Sequence, residues 1–122
     1  MTLRLSARAA LACLVLAGSA AFAPASADWI GTASFYGYES GKVRADGRPF
    51  MPMQFGAAHW TLRLGTRVRV TDLATGRSVV VPINDRGPHP RLHRLIDLSL
   101  GAARALGIER RGLVRVRVAL VP

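Results

Sequence analysis

Two carboxylates and one imidazole carry the chemical potential of a chain that is otherwise poor in acids. The sequence holds seven Asp plus Glu against seventeen Lys plus Arg. Asp85 lies in "INDRGP" and Asp97 in "LIDLS", with a turn rich in proline and arginine between them. A carboxyl group held on a rigid loop can give a proton to a leaving oxygen and later take one back. The same Asp85 could instead cap the amides of its loop or pair with Arg86. Asp97 is open to two readings as well: a second catalytic group, or a hydrogen-bond acceptor of the fold. His59, after Ala57 and Ala58, either bonds a carboxylate or a ligand or satisfies nearby backbone. Tyr36 and Trp60 offer flat faces to a ligand or to the core, and Asn84 and Arg86 flank Asp85 as candidate substrate contacts. His89 and His93 have a helical metal-ligand spacing, but Pro90 between them argues against a helix. No metal and no cofactor is expected.

These groups need a frame, and the residue periodicity supplies one. "TRVRVTD" alternates Val68 and Val70 with Arg67 and Arg69, and "LVRVRVALV" alternates Val114, Val116 and Val118 with Arg115 and Arg117. Period-two alternation marks half-buried strands. "WIGTASFYG" and "SVVVPIND" are two further strands, the latter with Pro82 expected at an edge or bulge because it has no N–H to donate. "TDLATGRS" with Gly76 reads as the turn of a hairpin joining strands 67–72 and 77–84. One helix is expected after Ser99 as N-cap, with Leu100, Ala103 and Leu106 on one face and Gly107 as its stop. The similar openings "GTRVRV" and "GLVRVRV" hint at a duplicated half. Residues 38–54 form the longest irregular stretch, and long loops in small domains usually serve function or move. Short strands in about 95 residues favour a small closed barrel, which leaves no strand edge exposed.

The first 27 residues read differently. Arg4 and Arg8, an apolar run and the small residues Ala25 and Ala27 resemble a secretory leader, with cleavage expected between Ala27 and Asp28. The apolar run is shorter than the ~20 residues a membrane span needs. Cys13, the one cysteine, sits inside that run in a poor setting for lipid attachment. The expected mature domain, residues 28–122, has no cysteine and must be held by packing. Removing Arg4 and Arg8 leaves fifteen basic against seven acidic residues, about +8, a balance that favours anionic partners. Export and the lack of a stacking-aromatic pattern argue against nucleic acid. Cell-wall polymer or anionic head groups fit better, and a monomer is expected.

Longer motifs then become specific. "ASFYG", "AAHWTLRLGTRVRVTDLATGRSVVVPINDRGP" and "LIDLSLGAARALG" together resemble the rare lipoprotein A (RlpA-like) family of double-psi β-barrels. The resemblance runs through about residues 31–120. It implies a mainly β fold, a six-stranded double-psi β-barrel with one or two short helices. It also implies peptidoglycan glycan strands as partner and an endolytic lytic transglycosylase activity. Such enzymes cut the β-1,4 bond between N-acetylmuramic acid and N-acetylglucosamine and leave a 1,6-anhydro end, at a periplasmic or secreted location. On this resemblance Asp85 matches the acid, Asp97 a second motif aspartate and His59 the motif histidine. Trp60 falls at a variable position.

The chain departs from that pattern in one stretch. Many members carry G-E-x-F-D ahead of A-A-H, where this sequence reads "GRPFMPM", with Arg48 and Met51 at the acidic positions. A cation beside a carboxyl group lowers its pKa, the wrong direction for a general acid. The turn "GPHPRLHRLID" is also one residue longer than usual. These departures keep open an alternative: a non-catalytic peptidoglycan-binding or expansin-like wall-loosening module, or an interaction protein on the same barrel.

Overall fold

Alternating valine and arginine builds the two staves that organise the barrel. β3 (Arg67–Asp72) and β6 (Val114–Leu120) pair antiparallel, Val70 opposite Val118 and Asp72 opposite Val116. Val68, Val70, Val116 and Val118 are fully buried, while Arg67, Arg69, Arg115 and Arg117 face out. Each such valine contributes about 1.5–3 kcal/mol by leaving water, which fixes the inward face of both strands. The remaining strands are β1 (Asp28–Tyr36), β2 (Ala57–Ala58), β4 (Ser78–Asp85) and β5 (Ile96–Ser99). The computed structural model describes residues 28–37 and 43–122. Residues 1–27, on which the expectation of a leader and the reading of Cys13 fall, and residues 38–42 of the long loop lie outside the described residues.

The six strands close in the order β1-β5-β2-β4-β3-β6. β1 runs parallel to β5 and β2 parallel to β4; the other four contacts are antiparallel. Advancing every strand by three places maps this ring onto itself, β1 onto β4, β2 onto β5 and β3 onto β6. The likeness of "GTRVRV" to "GLVRVRV" is therefore a likeness between symmetry-related strands. β3 and β4 form the expected hairpin, with Val70 opposite Val79.

Pro82 sits inside β4 because of where its missing N–H would point. Ile83 donates to Thr66 O on the β3 side at 2.7 Å. Alternation turns the Pro82 nitrogen toward β2, which is only two residues long and shifts register between Ala57 and Ala58. No ladder bond is lost there.

The helix α1 (Leu100–Leu106) forms where the capping residues predict it. Ser99 Oγ accepts from Ala102 N, and Gly107 ends the helix at φ 81°, its N–H on the Ala103 and Arg104 carbonyls. A left-handed stop of this kind favours glycine. Leu106, Ala102 and Ala103 pack into the core. A short 3₁₀ turn also forms at Pro90–Leu92, and no α-helix sets His89 and His93 one turn apart. Pro occupies the first position of the turn, where an N–H has no partner to lose. His89 and His93 are its two caps.

Candidate functional site

The shortest strand positions the carboxylates. Ala58 of β2 is in register with Asp85 of β4 on one side and with Asp97 of β5 on the other. Both aspartates therefore share a face with one small residue between them. Their Cα atoms stand about 9–10 Å apart, two strand spacings. Ser34 of β1 is in register with Asp97, so Tyr36, two residues on, rises on that face too. The Pro90–Leu92 turn closes the far side. The result is a cleft of about 300 Å³ at one end of the barrel, lined by Tyr36, Ala58, Asp85, Arg86, His89, Arg94 and Asp97 among others.

The two carboxylates are held in different ways. Asp97 receives both Nε and Nη2 of Arg94 at 2.9 Å, one on each oxygen. Asp85 uses a single oxygen: Oδ1 accepts the amide N–H of Arg86 at 2.8 Å and of Ala45 at 3.1 Å. Oδ2 of Asp85 accepts nothing from the described residues. Tyr36 reports their proximity. Burial, then the Asp85 and Asp97 carboxylates, push its phenol well above the ordinary tyrosine value, against a smaller opposing pull from Arg44. Its O–H stays on as a donor at any physiological pH. The Tyr36 ring lies 5.2 Å from that of Phe50, centroid to centroid.

His59 and Arg86 serve the wall behind the cleft. His59 Nδ1 accepts the amide N–H groups of Thr61 and Leu62, each at 3.1 Å. An Nδ1 acceptor is the neutral imidazole with its proton on Nε2. Burial, helped by the nearby Arg86 charge, keeps the His59 pKa below the usual histidine value. No carboxylate bonds the ring among the described residues; the backbone N–H of His59 donates to the backbone carbonyl of Asp85 at 3.2 Å. Arg86 lines the cleft, but its Nη1 donates to the carbonyls of His59 and Leu62 at 3.0 and 2.6 Å. It ties residues 59–62 to the Asp85 loop.

The structure thus gathers Tyr36, Asp85, Arg86 and Asp97 and leaves the other candidates around them. Trp60 is 53% exposed and stands edge-on to the His89 ring at 6.2 Å, outside the cleft lining. Asn84, on the other face of β4 from Asp85, lines a separate cavity of about 430 Å³. Arg48 lines that second cavity too, and Met51 is exposed. The cation that bears on Tyr36 is Arg44 instead, chelating Asp46 through Nε at 2.9 Å and Nη2 at 2.6 Å. Arg94, Arg44 and the Ala45 amide were not among the candidates. Arg94 is one of two arginines in "HPRLHRL", and nothing in that string marks it as the partner of Asp97. Among the described residues no group of three or more metal-ligating side chains occurs, and no helix is long and apolar enough to cross a membrane.

Comparison with known proteins gives this barrel relatives. A family model described as lytic transglycolase matches residues 29–118. The "Probable endolytic peptidoglycan transglycosylase RlpA" of Nostoc sp. is 54% identical over 91 residues, 72% of this chain and 24% of that protein. The "Endolytic peptidoglycan transglycosylase RlpA" of Pseudomonas aeruginosa is 47% identical over 90 residues, 73% of this chain and 26% of its own length. The chain spans about a quarter of the length of the curated relatives it matches. Among solved structures, the Streptomyces papain inhibitor is similar with a TM-score of 0.65 and 26% identity, covering 81% of this chain and 98% of that one. The match over residues 29–118, most of the chain, settles membership: the protein belongs to the lytic transglycolase family.

Proposed function

We propose, on the premise of that membership, that the cleft cuts the β-1,4 bond between N-acetylmuramic acid and N-acetylglucosamine in peptidoglycan and leaves a 1,6-anhydro end, with Asp85 as the single acid and base. The observation that carries this reading is the asymmetry of the Asp85 carboxylate. Two amides fix one oxygen in place, and the other accepts no bond from a described residue within the cleft. From the free oxygen Asp85 protonates the leaving glycosidic oxygen. It then accepts the proton of the sugar's own C6 hydroxyl as that oxygen attacks the anomeric carbon. The bond to the leaving group breaks, the bond from O6 forms, and no water is consumed. A hydrolase would need a second carboxylate to activate water, whereas here both oxygens of Asp97 bond Arg94.

The other groups hold the substrate and the frame. Tyr36 offers a permanent O–H donor beside the carboxylates. Arg94 and Asp97 form the opposite wall, and His59 and Arg86 brace the loop that carries Asp85. The names of the relatives in Nostoc and Pseudomonas support the choice of substrate. Export through the N-terminal leader would bring the domain to the cell envelope, where its excess of basic residues favours anionic wall polymer.

Mass spectrometry of purified glycan strands after incubation tests the reading through new anhydro-muramic ends. Asp85→Asn keeps size and hydrogen bonding but cannot deliver the proton, and should cost about 10²–10⁴-fold in rate. Equal activity in the variant overturns the role of Asp85. Glycan binding by the wild type without anhydro ends makes the barrel a binding module.

A further inference from the structure

Trp60 is 53% exposed, yet the backbone that carries it is pinned on both sides. The His59 amide donates to Asp85 O at 3.2 Å, and His59 Nδ1 accepts the amides of Thr61 and Leu62. Arg86 Nη1, reaching over from the Asp85 loop, clamps the carbonyls of His59 and Leu62. These bonds fix residues 59–62 and leave the indole half outside. A tryptophan has only two side-chain torsions to lose on contact. Held out in water, it forgoes burial of part of an aromatic surface of about 150–250 Å².

The indole has a second ring beside it. His89 meets it at 6.2 Å with the planes 63° apart, so the two rings form an open corner. His89 is fixed as well: its Nδ1 accepts the Arg91 amide at 3.2 Å and caps the Pro90–Leu92 turn. That acceptor role places the ring's proton on Nε2, an N–H that donates to no described residue. Leu92, the last residue of the turn, is also half exposed. His89 and Leu92 line the cleft that holds Asp85 and Asp97, and Trp60 lies just outside it. The corner is therefore continuous with the cleft along its His89 edge. Its two walls come from the segment after β2 and the turn before β5, the strands that set the spacing of the carboxylates.

We propose that the Trp60–His89 corner is a distal sugar subsite. A ring of the glycan strand beyond the scissile bond lays its apolar face on the Trp60 indole, and His89 Nε2–H donates to a hydroxyl or acetamido carbonyl of that ring. This deepens the reading of the neighbouring cleft and rests on it for the identity of the strand. The occupant follows from continuity: a polymer cut internally runs on past the reacting sugars, and the way out beside His89 leads over the indole. A pyranose with equatorial substituents has a flat C–H face that suits an aromatic ring, and a polar rim that suits an N–H donor. Neither contact calls for an anionic group, so the bare strand suffices. Trp60 is a positioning residue in this scheme, holding the strand while Asp85 moves the proton.

The test uses the indoles as reporters, since the chain has two tryptophans, Trp29 and Trp60. A peptide-free glycan hexasaccharide is titrated into ¹⁵N-labelled Asp85→Asn protein, which should bind without cutting. The proposal expects the Trp60 Nε1–H signal to shift well beyond that of Trp29. Trp60→Ala should weaken binding about two- to tenfold, the scale of one aromatic contact, at an unchanged melting temperature. Trp60→Phe should recover most of the loss, and Trp29→Phe should bind like the parent. His89→Asn keeps a side-chain acceptor for the Arg91 amide but removes the ring, and should weaken binding too. In the active protein, Trp60→Ala should raise KM for strand cleavage by the same factor, which a purely structural role would not do. No binding, binding indifferent to Trp60→Ala, or equal losses in Trp60→Ala and Trp29→Phe overturns the proposal. Anhydro ends from the wild type with no part for Trp60 would leave the cleft reading standing and refute the corner. A Trp60-dependent complex whose wild type makes no anhydro ends would do the reverse.

Discussion

Replacing Asp97 by Asn asks whether that residue is an acid or an anchor. The wild-type side chain accepts two charge-assisted hydrogen bonds of 2.9 Å from Arg94, and the two side chains are 13% and 22% exposed. Exposed ion pairs contribute about 0–1 kcal/mol, and breaking a fully buried pair costs about 3–5 kcal/mol. Asp97→Asn keeps the volume but sets an amide NH₂ against an arginine N–H. An intermediate loss of about 2 kcal/mol follows. For a domain of this size each kcal/mol moves the melting temperature by about 4–8 °C, so the fall should be about 8–16 °C. Melting curves of Asp97→Asn, Arg94→Gln and the double variant measure the coupling directly. The double variant should be no less stable than either single one, because the pair is already lost. Activity, assayed well below the lowered melting temperature, should fall less than about tenfold, against the 10²–10⁴-fold expected of Asp85→Asn. A melting temperature within about 2 °C of wild type would show that the Arg94 contact holds nothing. A rate loss exceeding that of Asp85→Asn in a folded protein would move the proton transfer to Asp97.

Three further outcomes follow from contacts away from the scissile bond. Asp72 is buried and accepts from Arg111, the Ala74 amide and Thr75 Oγ, with the Arg111 bond the main cause that lowers its pKa. Asp72→Asn should cost about 1.5–3 kcal/mol at neutral pH. Because the folded pKa is depressed, that advantage is present above about pH 4 and fades as pH falls through the lower folded value; a gap in melting temperature that does not shrink in acid refutes this. His59 has the opposite charge type, and its pKa is lowered by burial first and Arg86 second. Protonation favours the unfolded chain, so wild-type stability should decline as pH drops below about 6.5. His59→Asn can retain the acceptor for Thr61 and Leu62, and should flatten that decline in melts at pH 7.5 and 5.5. Gly101→Ala should destabilise by about 1–3 kcal/mol despite alanine's better helix propensity. Its Cβ would meet the Met53 carbonyl where the Gly101 amide bonds Pro52 O at 2.9 Å; a melting temperature above wild type sinks this.

How far the residues announced this arrangement depends on the range of the interactions involved. β3, β4, β6 and α1 are written locally, in valine–arginine alternation and in the caps Ser99 and Gly107, and the structure has them where those signals stand. β2 carries no such signal. "AA" has no periodicity, and its strand character comes from Leu98 and Ile83 on either side, residues 26 or more positions away. Yet β2 decides the spacing of Asp85 and Asp97, since Ala58 is the residue between them. The short motifs therefore single out Asp85 and Asp97, which the barrel brings to one cleft, but carry nothing of their geometry. The same holds for their partners. Which arginine of "HPRLHRL" reaches Asp97 is set by the left-handed turn at His93, φ 53°, which ends the 3₁₀ turn and sends Arg94 into the cleft instead of Arg91. The contrast between Asp85 with one free oxygen and Asp97 with none is a product of that long-range packing. Two carboxylates that look alike in sequence become chemically unlike only when the barrel closes.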